Sequence, residues 1–187
     1  MPQFAATGQW AIYSVQKTLP YLGQIPAGIS SDIHSYLVLV DPTGKAVQEM
    51  QGVYTNGFSI FGPTAGNYLQ VQMWQPNQYM SDQSVLSQSL VMSGSQAAIT
   101  SSFNNAFNVV ANDLNSTHDL YNGASLFSSS STYNSNSVWY TAMQALGISN
   151  PAQYEGGYDA PGSTINLNAA PTKSSISDAI KPYMRNA

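Results

Sequence analysis

The chain has 187 residues, of which 43% are hydrophobic and only 7% charged, with a formal net charge of −4. Five Lys plus Arg cannot release many counterions from a phosphate backbone, so nucleic acid is not an expected partner. The absence of cysteine rules out disulfides, thiolate metal sites and a cysteine nucleophile.

An ordinary globular protein is about a quarter charged. Here Ser, Asn, Gln, Thr and Tyr must cover the surface, which suits an exported or envelope-associated protein. No run approaches the length of a membrane span. Residues 1–4 lack the basic and apolar regions of a signal peptide. The length suits one domain, residues 1–187, with no internal repeat and no linker. The two histidines, His34 and His118, leave little room for a histidine metal site. No metal or other cofactor is expected.

Residues 10–15, from Trp10 to Val15, read as a first strand, aromatic and branched. Residues 17–31 carry Pro20, Gly23, Pro26 and Gly28 and read as a long loop. Residues 35–40 form a continuous apolar run, the pattern of a strand buried on both faces. Asp41, Pro42, Thr43 and Gly44 are placed for a turn. Residues 45–51 return as the partner strand, and Gly52 ends it.

Residues 59–61 offer a short extension before Gly62 and Pro63. Residues 68–74 alternate cleanly, with Leu69, Val71 and Met73 inward. A loop follows from Pro76 to Asp82. Residues 88–92 suit another strand, although residues 82–92 also suit a short helix. Ser93, Gly94 and Ser95 then cap a long helix with Ile99, Phe103, Ala106, Phe107, Val110 and Leu114 on one face. Residues 115–132 read as a loop with a low-complexity serine run.

The stretch from Tyr133 to Gly147 reads as a complete helix. Asn134, Ser135, Asn136 and Ser137 can accept bonds from free N–H groups at its start. Val138, Ala142, Met143 and Leu146 recur at helical spacing, and Gly147 suits the left-handed end. Beyond Gly147 the chain is Pro- and Gly-rich, with a last short helix expected over residues 174–183. The order, strands and then helices, predicts an α+β domain with helices packed on an antiparallel sheet and an irregular C-terminal tail.

Two features carry chemistry. His34 stands just before the buried strand. Pairing back through the hairpin places it opposite Gln51 or Gly52, on one face with Gln51. Gln51 can then fix the imidazole tautomer, with Glu49 as the alternative orienting group. The plainer reading makes Glu49 and Gln51 a solvated strand face. Ser135 and Ser137 stand at a helix N-terminus, where unpaired amides and the helix dipole stabilise negative charge. The plainer reading makes them caps. A base on a sheet and a hydroxyl at a helix N-terminus are what acyl transfer needs.

The block His34-Ser35-Tyr36-Leu37-Val38-Leu39-Val40-Asp41-Pro42-Thr43-Gly44 resembles the histidine block of circularly permuted papain-like proteins. These include the permuted NlpC-type hydrolases and the lecithin retinol acyltransferase group. Asn134-Ser135-Asn136-Ser137-Val138 is similar to their downstream Asn-Cys block, with Ser135 where the cysteine would stand. The likeness runs as an order of elements over roughly residues 30–147. It implies a permuted papain-like fold and a site of Ser135, His34 and Gln51 acting on an amide or ester bond. The substrate would be a peptide, lipid or glycan-peptide. Serine departs from the thiolate of that group, which leaves two outcomes: a Ser–His hydrolase or acyltransferase, or an inactive binding module.

Other clusters carry less. Asp113, His118 and Asp119 suggest a metal site, but helix-end signals account for them. The glycines over 52–57 and 62–66 lack a phosphate-loop lysine. Tyr133, Tyr140, Tyr154 and Tyr158 suit a stacking groove for carbohydrate or peptide, or simply a charge-poor surface.

Overall fold

A computed structural model describes residues 4–18, 33–55, 68–76, 85–117, 134–156 and 167. Five strands are built from these residues: β1 (Trp10–Thr18), β2 (Ile33–Val40), β3 (Ala46–Tyr54), β4 (Leu69–Trp74) and β5 (Val85–Gly94). Two helices follow, α1 (Gln96–Thr117) and α2 (Ser135–Ala145), then a short 3-10 turn at Pro151–Tyr154. The strands form one antiparallel sheet in the order β4-β3-β2-β1-β5. The architecture is α+β.

The apolar run of β2 sits at the middle of the sheet and is buried on both faces. Strand side chains alternate between faces. Leu37 and Leu39 join Ile12, Met50, Leu69 and Val71 on the face that packs against α1 and α2. Tyr36, Val38 and Val40 join Tyr13, Val15 and Phe4 in a second cluster on the opposite face. The core stripe of α1 is the expected one: Ile99, Phe103, Ala106, Val110 and Leu114 are buried, and Phe107 packs beside them half-buried.

Helix α2 is buried over most of its surface. Trp139 and Thr141 are enclosed along with Val138, Ala142 and Met143. Trp139 Nε1 donates to Ser14 Oγ on β1 at 3.0 Å. Thr141 Oγ1 donates to Ser137 O and accepts from Leu167 N, both at 2.9 Å. These bonds satisfy polar atoms that burial would otherwise leave unpaired.

Several boundaries depart from the sequence expectation. β1 continues through Lys17 and Thr18, because the β1–β2 ladder runs on to the Thr18–Ile33 pair. Residues 85–94 form a strand, not a helix, paired along β1. Helix α1 runs to Thr117, past the loop start expected at Asn115. Gly52 lies inside β3 and pairs with Val71, so it does not end the strand. A Cβ on Gly52 would lie 2.7 Å from Ser135 Cα and 2.8 Å from Val138 Cβ. Its glycine is therefore a condition for the close approach of α2. The expected elements at 59–61 and 174–183 lie outside the described residues.

Candidate active site

Asn134, Ser135, Asn136 and Ser137 form the start of α2, and all four are buried. Asn134 is the N-cap: its Oδ1 accepts from Asn136 N at 2.9 Å. Its own N–H donates to Ser137 Oγ at 3.3 Å, closing a capping box. These two residues thus act as helix caps. At the other end Leu146 N bonds Ala142 O, and Gly147 takes a φ of +85°.

Asn136 does more than support the helix. Its Oδ1 accepts from Ser35 N at 2.8 Å and its Nδ2 donates to Ile33 O at 2.9 Å. Paired residues of β2 and β3 run from Val40–Ala46 to Leu37–Met50 and stop there. The β1–β2 ladder, by contrast, continues to the end of β2. The side-chain amide of Asn136 therefore takes the place of a strand partner on the β3 side of β2. The helix start enters where β2 and β3 part, with Ser135 Cα over Gly52.

His34, bracketed by the two anchored residues, is 2% exposed. Its Nε2 lies 2.9 Å from Gln51 Oε1. Gln51 Nε2 in turn donates to Glu49 Oε2 at 2.6 Å. Glu49 and Gln51 are each 1% exposed, so they are not a solvated face. The hairpin register differs from the expected one, because a bulge falls between Leu39 and Val40. Met50 faces Leu37, and continued pairing puts Gln51 opposite Tyr36, not His34. The His34–Gln51 bond is thus diagonal, within reach of two long side chains on one face.

Two further residues complete this buried polar cluster. Lys17 pairs with His34 across β1 and β2. Its Nζ lies 5.1 Å from the centroid of the Tyr36 ring. The Tyr36 and His34 rings stack at 5.6 Å and 23°. Burial lowers the Lys17 pKa, and the negative charge of Glu49 opposes that shift. The Tyr36 hydroxyl is buried without a hydrogen-bond partner among the described residues. Burial, with Glu49 adding to it, pushes its ionisation far above the ordinary range. Burial also lowers the His34 pKa from 6.5 to about 4; the Gln51 bond opposes this and the positive charge of Lys17 adds to it. The imidazole is neutral at physiological pH.

Of the three residues singled out from sequence, His34 and Gln51 are hydrogen-bonded on the sheet face shared with Tyr36 and Lys17, whereas Ser135 starts the helix that packs on the other face, over Gly52. Among the described residues, Gln51 is the imidazole's hydrogen-bond partner, and no hydrogen bond joins His34 to Ser135. Lys17 and Tyr36 were not recognisable as part of the cluster. The one available signal was parity: Tyr13, Val15 and Lys17 share a strand face. Of the weaker candidates, His118, Asp119, Tyr133 and Tyr158 lie outside the described residues. Tyr140 and Tyr154 are half-buried and pack on the helix-side core. Among the described residues no helix is long and apolar enough to cross a membrane. No protein-family model, no curated protein and no solved structure matches this chain.

Proposed function

We propose that the chain is a permuted papain-like hydrolase or acyltransferase acting on an amide or ester bond. Ser135 is the nucleophile, His34 the base and Gln51 the residue that orients the base. The observation that carries this reading is the pair of hydrogen bonds between the Asn136 side chain and the main chain on both sides of His34. It ties the hydroxyl-bearing helix start to the strand that bears the imidazole.

In this reading Ser135 Oγ attacks the substrate carbonyl carbon as the imidazole takes its proton. The Asn136, Ser137 and Val138 N–H groups are taken up by Asn134, so the N–H at the head of α2 that meets the oxyanion in this reading is that of Ser135. The imidazole returns the proton to the departing amine or alcohol as the substrate's C–N or C–O bond breaks. Water then attacks the Ser135 ester in a hydrolase, or a second alcohol or amine attacks it in a transferase. A buried Lys17 and Glu49 beside the base support a functional cluster, because buried charges are costly in a chain with so few charges.

The second reading is a non-catalytic binding module on the same fold, exported or envelope-associated. It is favoured by the low basicity of His34, since an imidazole of pKa about 4 is a weak acceptor for a hydroxyl proton, and by the ring sharing the Tyr36 face of the sheet, away from the face on which α2 packs. A panel of acyl esters and amides separates the two. The enzyme reading expects turnover by the wild type and loss in both Ser135→Ala and His34→Ala, with folding kept. Turnover that survives both substitutions overturns the assignment. A wild type inert on every substrate supports the binding module.

A further inference from the structure

We infer that Glu49 is a positioning residue for His34, acting through Gln51: it fixes the sense of the Gln51 amide, and so which imidazole nitrogen carries the proton. This deepens the Ser135–His34 reading and rests on it for its catalytic meaning, but the relay itself stands on geometry.

A carboxamide presents a donor on one side and an acceptor on the other, and either can face a histidine. Gln51 alone would leave the imidazole tautomer open. Glu49 removes the freedom. An ionised carboxylate only accepts, and it lies 2.6 Å from Gln51 Nε2. Turning the amide over would set Gln51 Oε1 against that oxygen, two acceptors at charge-assisted hydrogen-bond distance inside the protein. Gln51 Oε1 therefore faces His34, and Nε2 must be the protonated nitrogen of the neutral ring. Nδ1 keeps the lone pair. Lys17 holds the relay in this state, because its charge and that of Glu49 favour each other. This gives the buried charges of β1 and β3 a shared task, which hydrogen bonding of the imidazole to Gln51 alone would not require.

The test is long-range 15N–1H correlation NMR of the two histidines, with His118→Gln for assignment. The wild type is expected to show His34 neutral at pH 7 with its proton on Nε2. In Glu49→Gln, an isosteric change, the Gln51 amide can turn, and the Nδ1–H form should rise to a comparable or larger population. A wild type protonated on Nδ1, or a folded Glu49→Gln variant with the wild-type tautomer, overturns the proposal. Should Glu49→Gln not fold, the 13Cδ shift of Glu49 in the wild type decides: ionised at pH 7 is expected, and a protonated carboxyl overturns the relay. Because none of these signals needs turnover, an inert protein with the expected tautomer would count against the catalytic reading alone.

Discussion

Asn136 grips the main chain on both sides of His34, accepting from Ser35 N at 2.8 Å and donating to Ile33 O at 2.9 Å. A side chain thereby does the work of a neighbouring strand, at the place where β3 has left β2. Removing it in Asn136→Ala takes the Asn136 partner from a buried N–H and from a part-buried C=O. At about 1–3 kcal/mol for an unsatisfied buried group, the expected loss is about 2–4 kcal/mol. Denaturant unfolding measures the loss. Amide exchange adds a local readout: the Ser35 N–H should lose protection more than the neighbouring Leu37 N–H.

Gly52→Ala should damage the same junction from the other strand. Its methyl would have to occupy space 2.7 Å from Ser135 Cα and 2.8 Å from Val138 Cγ2. Part of that obstacle is backbone and cannot swing away. Overpacking of this kind costs about 2 kcal/mol, a fall in Tm of about 4–8 °C for a chain of this size. A thermal melt checks it. An unchanged Tm would mean that α2 does not sit this close to β3.

How much of this was legible turns on how local each signal is. Both ends of α2 are written in neighbouring residues: Asn134 and Ser137 cap one end, and Gly147 takes its positive φ at the other. The alternation of β4 and the stripe of α1 are equally local, and both are present. Gly52 is the opposite case. A glycine after a strand run reads as a terminator, and only the approach of Ser135 and Val138 from far along the chain shows otherwise. Lys17 reads with the Pro- and Gly-rich stretch that follows it, yet pairing on both sides keeps it in the sheet. The bulge beside Val40 moved the register, so the His34–Gln51 contact arises diagonally and not by direct opposition.

Burial of His34 gives stability a pH signature. The folded imidazole titrates at about 4, while an unperturbed one titrates at 6.5. Between those values the unfolded chain binds the proton and the folded one does not, so stability rises with pH. The contribution is full above 6.5 and is lost as pH falls towards 4, by on the order of 3 kcal/mol. Below 4 both states are protonated and the dependence ends. Unfolding free energies across this window should therefore fall more steeply in the wild type than in His34→Gln. Parallel curves for the two proteins would show that the folded His34 is not held neutral.

The central claim is that the imidazole of His34 activates the hydroxyl of Ser135. A broad fluorophosphonate probe tests it most directly, because labelling of a serine requires an activated hydroxyl. Intact-mass analysis and peptide mapping after incubation should place one adduct on Ser135, absent in Ser135→Ala and at least about 100-fold slower in His34→Ala, the scale of general-base assistance. No adduct on Ser135 in the folded wild type, or labelling that His34→Ala leaves unchanged, would contradict it.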